Sequence, residues 1–296
     1  MTAMIDLFDT PTDWIELDDC TLPYYRVGSG PDVVLVHGWP LDSRTWRNLL
    51  PRLSASYTCH MFDMPGAGRS RWTRKARVGL RENAVALRKC IDAIGLSSYA
   101  LIGHDSGACF ARLVAADDPD RVRGLVAGNT EIPGHEPWQL RVMGPLLKLP
   151  GGIAGFKAML RHKIGRRSSL GFGGCFDDTE LAEGEFFELF VRPLIEDPRA
   201  MAGQLLLGEN LDFAVVHSLR EAHGKITAPT RFIWGVDDPW FPLDKARAMP
   251  AQMGGEADLV TISPGKLFAH EEFPDLFLDH AAPILACGLE GVEAAA

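Results

Sequence analysis

Residues 99–108 read Tyr-Ala-Leu-Ile-Gly-His-Asp-Ser-Gly-Ala, and this stretch decides how the rest of the chain is interpreted. The apolar residues 99–103 are typical of a buried strand, and residues 108–116 have the composition of a helix. Between them, small residues at 103 and 107 permit a tight strand-turn-helix bend that holds the middle side chain above a sheet. The pattern therefore predicts Asp105 as the nucleophile of an enzyme.

The segments around this turn alternate between strand and helix. Apolar, Val-rich runs predict strands, and amphipathic runs between them predict helices, which is the signature of a doubly wound, mostly parallel sheet. From residue 131 to residue 224 only helical patterns occur. We predict a core in two parts, residues 1–130 and 225–296, with a helical cap at 131–224. Ligands bind at the carboxyl ends of such strands, so the cap would cover the site.

Composition limits the classes of function. The net charge is −9 and no run is basic, which argues against nucleic acid or anionic membrane as a partner. No stretch is long and apolar enough to cross a bilayer. Residues 1–14 lack the positive start of a secretory signal, and the six cysteines are scattered without a CxxC pair. We expect a cytoplasmic protein with reduced thiols, no metal and no cofactor, and a tail at 290–296 that frays.

Four motifs follow one another along the chain: His37-Gly-Trp39-Pro, residues 63–70 (Asp-Met-Pro-Gly-Ala-Gly-Arg-Ser), the turn at Asp105, and residues 235–242 (Gly-Val-Asp-Asp-Pro-Trp-Phe-Pro). Together they resemble the α/β-hydrolase family, in its Asp-nucleophile branch of haloalkane dehalogenases, haloacetate dehalogenases and epoxide hydrolases. The resemblance implies attack on saturated carbon, an alkyl ester on Asp105, and an oxyanion held by the amides of Trp39 and Ser106. Alternatives are Asp105 as a plain helix cap, or Ser106 as an esterase nucleophile.

The resemblance also predicts which groups activate water. In the turn at 235–242 it puts the acid at Asp238, with Asp237 as the neighbouring alternative and a noncatalytic Asp-Pro turn as the plain one. The family's general base is a histidine seven residues before a proline, and counting back from Pro274 reaches Leu267. Either a rearranged loop brings His270 in as the base, or no base exists.

The substrate is less constrained. Epoxide hydrolases of this branch protonate the epoxide with cap tyrosines, and all four tyrosines here precede the cap, which leaves only a cap histidine, His135 or His162. Indole N–H groups of Trp39 and Trp138 are candidate halide donors. The remaining candidate pocket residues are two motif histidines and four residues of the later loops: His37, His104, Thr130, Glu131, His135 and Leu267.

The leading interpretation is a dehalogenase-like or epoxide hydrolase-like enzyme acting on a small apolar molecule, as a monomer or homodimer. The alternative is a degenerate hydrolase-fold protein that binds a small molecule without turnover, because Leu267 stands at the histidine position.

Overall fold

The computed structural model describes residues 5–73 and 75–289. Within these residues nine strands form one sheet, in the order β1-β2-β4-β3-β6-β7-β8-β9, with β5 on β2. The strands are β1 Asp13–Glu16, β2 Cys20–Val27, β3 Asp32–Val36, β4 Thr58–Phe62, β5 Arg71–Trp72, β6 Tyr99–His104, β7 Val122–Gly128, β8 Thr230–Gly235 and β9 Ala257–Ile262.

Pairing is parallel across β4, β3, β6, β7, β8 and β9, and antiparallel where β1 and β5 meet β2 and where β2 meets β4. Every residue of β3, β4 and β6 is buried, because helices cover both faces of the sheet. This arrangement confirms the predicted α/β fold with a mostly parallel sheet.

Short and long helices connect the strands. The α-helices are α1 Leu50–Leu53, α2 Leu80–Ala93, α3 Ser106–Asp117, α4 Trp138–Lys148, α5 Gly152–Arg161, α6 Lys163–Arg166, α7 Gly184–Phe186, α8 Arg192–Glu196, α9 Pro198–Glu209, α10 Phe213–His223, α11 Leu243–Ala246, α12 Ala269–Glu272 and α13 Pro274–Leu289. The segment Phe187–Val191 is a π-helix. The 3₁₀ turns are Ser43–Trp46, Phe172–Gly174, Thr179–Ala182 and Pro250–Gln252.

The two faces of the sheet bury separate cores. Along β3, Val33 and Leu35 belong to the core that α13 covers, while Val34 and Val36 belong to the opposite core, as the two-residue period of a strand requires. Helices α4 to α10 fill the sequence between β7 and β8, and α10 packs against α3 beside the sheet. The division of the chain at residues 130 and 224 stays a prediction.

None of the helices in the described residues is long and apolar enough to span a membrane. All six cysteines are free thiols, and all but Cys287 are buried. The predicted fraying at 290–296 falls outside the described residues.

Candidate active site

Asp105 lies at the end of β6 in a strained backbone conformation. Its φ of 52° and ψ of −136° make it the only non-glycine residue with positive φ in the described parts of the chain. Such strain persists only where the surroundings impose it, and it concentrates at functional sites. A Cβ at Gly107 would lie 2.2 Å from the carbonyl oxygen of Val36, so only glycine permits this turn.

The Asp105 carboxylate is held by the loop that follows β3. Its Oδ2 accepts a hydrogen bond from the Trp39 amide at 2.9 Å and lies 3.4 Å from the Ser106 hydroxyl. A Cβ at Gly38 would come within 2.7 Å of Oδ2, which explains why glycine precedes Trp39. One carboxylate oxygen therefore occupies the place predicted for an oxyanion.

A cavity of about 610 Å³ opens beside Asp105. Its walls are mostly apolar and come from the loops after β3 and β8 and from helices α4, α5, α8, α9 and α10. Trp39 and Trp240 both line the cavity, and the buried indole N–H of each has no hydrogen-bond partner among the described residues. Because buried donors are normally satisfied, these two groups are candidates to bind an anion or an acceptor of the ligand.

Asp238 is buried after β8, as the acid position predicts, whereas Asp237 is exposed. Its Oδ1 accepts from the amides of Trp240 at 2.7 Å and Phe241 at 3.1 Å, and its Oδ2 accepts from Asn129 Nδ2 at 2.6 Å. Both carboxylate oxygens of Asp238 therefore accept hydrogen bonds, and none of the donors is a histidine. Burial raises the pKa of Asp238 to about 7.

The base position holds Leu267, whose side chain lines the cavity beside Asp105. Its carbonyl oxygen accepts a hydrogen bond from His104 Nε2 at 2.7 Å, which fixes the loop after β9 against the elbow strand. The spacing to Pro274 thus predicts the location of this residue, and an aliphatic group faces the cavity there.

In the parts of the chain that the structure describes, His270 forms no hydrogen bond with Asp105 or Asp238. Its Nε2 lies 2.7 Å from Thr45 Oγ1, and its Nδ1 has no hydrogen-bond partner within the described residues. The ring packs against Trp46 and Phe277, which belong to the core on the other face of the sheet. The geometry contradicts the interpretation of His270 as the base.

The hydrogen bonds around Thr45 explain this position of His270. Thr45 Oγ1 donates to Glu271 Oε1 at 2.6 Å, and Arg47 Nη1 donates to the same carboxylate at 2.9 and 3.0 Å. Burial lowers the pKa of His270 well below its usual value, so the imidazole stays neutral. Its Nε2–H donates to Thr45 Oγ1, and the ring fills space in the core.

A second carboxyl group lies near Asp105. Glu131, after β7, lines the same cavity, and Thr130 Oγ1 lies 2.8 Å from both Glu131 Oε2 and the Asp105 carbonyl oxygen. Burial, then repulsion from Glu131, raise the pKa of Asp105 well above its usual value. The buried Arg112 guanidinium lies 3.8 Å from Glu131 Oε2, and its charge lowers the pKa of Glu131 against the effect of burial.

The remaining predicted pocket residues divide into two groups. His135 lines the cavity, with its Nε2 donating to the Trp240 carbonyl and its Nδ1 accepting from Lys245. His37 and His104 lie behind the cavity in loop contacts, as does Thr130. Trp138 is wrong as a pocket residue, because it is 60% exposed and does not line the cavity.

Sequence reasoning missed Trp240, which lines the cavity where Trp138 was expected. The signal was present, since Trp240 follows the acid by two residues in a loop predicted to end at the site. Asn129, which binds Asp238, was also missed because its partner lies 109 residues away.

Comparison with known proteins identifies the family of this chain. Residues 31–274 match the family model for the alpha/beta hydrolase fold, and the chain therefore belongs to that family. It is 29% identical over 248 residues to the magnesium-chelatase 30 kDa subunit of Rhodobacter capsulatus, covering 83% of this chain and 80% of that one. It is 23% identical over 283 residues to epoxide hydrolase 4 of Mus musculus, covering 89% and 76%.

Among solved structures, the haloalkane dehalogenase DbeA from Bradyrhizobium elkani superposes with a TM-score of 0.75 at 21% identity, covering 92% of this chain and 96% of that one. At this identity the superposition shows the shared fold. The comparisons confirm the predicted fold class and family, and the relatives support the prediction of a hydrolase.

Proposed function

We propose that the protein attacks a saturated carbon that carries a halide, with Asp105 as the nucleophile. The observation that carries this proposal is the carboxylate at the elbow, where the Trp39 amide holds Oδ2 at 2.9 Å and leaves Oδ1 for attack. The apolar cavity of about 610 Å³ beside it suits a small apolar substrate.

In the proposed step, ionised Asp105 donates an electron pair from Oδ1 to the carbon, and the carbon–halogen bond breaks with its pair going to halide. The product is an alkyl ester of Asp105, whose carbonyl oxygen stays on the Trp39 amide. The unpartnered indole N–H groups of Trp39 and Trp240 would donate hydrogen bonds to the departing halide.

The positions of the tyrosines and of His135 argue against an epoxide as substrate. Opening an epoxide requires a proton donor, but three tyrosine hydroxyls are paired within the core, with His60, Asp63 and Asp118. None of the four tyrosines lines the cavity. Both ring nitrogens of His135 are already engaged. A halide leaves without a proton, so it fits the groups present.

Hydrolysis of the ester is expected to be the slow step. Water must be deprotonated as it attacks, and a general base typically contributes about 100- to 10,000-fold to such a step. Leu267 offers no base, and His270 is bound to Thr45. We therefore propose that the alkyl ester accumulates and that release is slow.

Intact-mass measurement after incubation with primary alkyl iodides, bromides and chlorides tests the proposal. The expected result is one alkyl group per chain, located on Asp105 by peptide mapping, with one halide released. Asp105→Asn should remove the adduct, and Asp237→Asn, at the neighbouring exposed carboxylate, should retain it. If the protein gained no mass and released no halide with any of these compounds, Asp105 would not be the proposed nucleophile.

A second candidate function is binding of an apolar small molecule without covalent chemistry. It is favoured by Leu267 in the cavity, and by a relative that is named as a magnesium-chelatase subunit. In that case a cavity ligand should bind Asp105→Asn and the parent protein equally, and neither should gain mass.

A further inference from the structure

Exposed apolar side chains are concentrated on the cap. Ten large hydrophobic residues are exposed in the described parts of the chain, and seven of them lie between residues 138 and 170. We define the cap patch as six of these seven: Trp138, Val142, Leu146, Leu149, Ile153 and Ile164. A concentration of this kind marks an interaction site, whereas single exposed residues elsewhere need no explanation.

Helix α4 is apolar on two faces. Leu140, Met143 and Leu147 line the cavity, whereas Trp138 and Leu146 point outward with 60% and 52% of their surface exposed. Helices that are apolar all round are normally buried on every side. The outer face of α4 therefore lacks a partner in the described structure.

The charge of this segment is opposite to that of the whole chain. Residues 137–176 contain no Asp or Glu, in a protein whose net charge is −9. The segment holds seven basic residues: Arg141, Lys148, Lys157, Arg161, Lys163, Arg166 and Arg167. Within the described residues, Lys148, Lys157 and Arg161 form no ion pair. The other four pair with acidic residues outside the segment: Arg141 with Glu136, Lys163 and Arg167 with Glu180, and Arg166 with Glu183.

The cavity reaches the surface within the same region. Leu149 and Ile153 of the cap patch, and Leu170 nearby, line the cavity and are also exposed. Such residues mark the place where the interior opens to the outside. An apolar molecule held against the patch would thus have a short apolar path toward Asp105.

We infer that the cap patch docks on the surface of an anionic lipid bilayer, and that the cavity takes its apolar ligand from that surface. Apolar side chains flanked by unpaired Lys and Arg are the combination that binds interfacially to anionic lipid. A second copy of the chain fits less well, because a two-fold contact through this face would bring like charges together. The sequence prediction of no membrane partner rests on the net charge of −9 of the whole chain, and that value does not reveal the basic segment at residues 137–176.

Vesicle flotation with the full chain tests the inference. The protein should float with vesicles of equal phosphatidylcholine and phosphatidylglycerol, should not float with phosphatidylcholine alone, and should detach at high salt. The double variant Trp138→Ala/Leu146→Ala should lose most of this binding. Its matched control is Val85→Ala/Leu276→Ala, which removes two exposed apolar side chains outside the patch and should bind as the parent does.

Charge removal gives a graded second readout. Lys148→Gln and Arg161→Gln should each weaken partitioning onto anionic vesicles roughly fivefold. No flotation with anionic vesicles would overturn the inference, as would equal loss in the control variant. A dimer that the Trp138→Ala/Leu146→Ala variant dissociates, without lipid binding, would assign the patch to a second copy instead. None of these measurements depends on Asp105 being a nucleophile.

Discussion

The two sides of the site differ in how completely they are built. On the nucleophile side, Asp105 is held in a strained turn and the Trp39 amide already binds its Oδ2. On the water side, Asp238 is buried where an acid is expected, but its oxygens bind Asn129 and backbone amides, and Leu267 takes the place of its partner. Under the proposed mechanism, capture and release of a substrate would depend on separate groups, and the contrast teaches that only the groups for capture are in place.

The largest effect should follow from completing the water side. Leu267→His places an imidazole beside the cavity, at the family's spacing of seven residues before Pro274. We expect ester hydrolysis to rise by about 100- to 10,000-fold, because a general base contributes that much. Continuous halide release, measured against the single release of the parent, reports the gain.

Leu267→Met is the control for this variant, because it keeps the volume and supplies no base. Equal halide release from the Leu267→His and Leu267→Met variants would show that the water side lacks more than an imidazole.

Breaking the nucleophile side is the opposite test. In Gly38→Ala the added Cβ would lie 2.6 Å from Asp105 Cβ, so the carboxylate must move. A displacement near 1 Å can cost about 100-fold in rate, and we expect labelling by an alkyl iodide to slow by that order. Gly155→Ala is the matched control, since nothing lies within 4 Å of its new Cβ. If Gly38→Ala were labelled at the parent rate, the loop after β3 would not be needed to position Asp105 for attack.

The sequence predicts the nucleophile side because its determinants are local. Five residues around Asp105 specify strand, turn and helix. Gly103 and Gly107 are required because a Cβ at either position would collide with neighbouring backbone atoms. The water side depends on residues far apart in the chain. Sequence spacing left His270 open as a base, and the choice is made by Thr45, 225 positions earlier, which no local pattern reveals.

The cap is a second case in which the sequence falls short. Trp138 was assigned to the pocket, but periodicity places apolar residues on both faces of α4 and cannot say which face points inward. Only the packed structure shows that Leu140 and Met143 face the cavity.

His270 provides a test of stability against activity. His270→Ala should lower the free energy of unfolding by roughly 3 kcal/mol, because a buried ring is removed from a packed core. His270→Phe should cost less, since it refills the space and Thr45 keeps its bond to Glu271. Neither change should alter the labelling rate or the slow ester hydrolysis of the folded protein. If His270→Phe abolished residual hydrolysis while leaving labelling intact, the imidazole would be the base after all.

The smallest expected effect concerns pH. Burial and Glu131 raise the pKa of Asp105, and only the ionised carboxylate can attack, so labelling should increase as pH rises through this elevated pKa. Glu131→Gln removes the repulsive charge and should lower the pKa of Asp105, which shifts the labelling profile to lower pH. A shift of one unit corresponds to a gain of about tenfold at the acidic end.

The matched control for this shift is Glu209→Gln, because Glu209 also lines the cavity but is exposed, and water screens its charge. Its profile should overlay that of the parent. A move to higher pH would contradict repulsion by Glu131, and a profile that Glu131→Gln leaves in place would mean that the charge of Glu131 does not raise the pKa of Asp105. The Glu131 carboxyl would then contribute to the shape of the cavity without tuning the nucleophile.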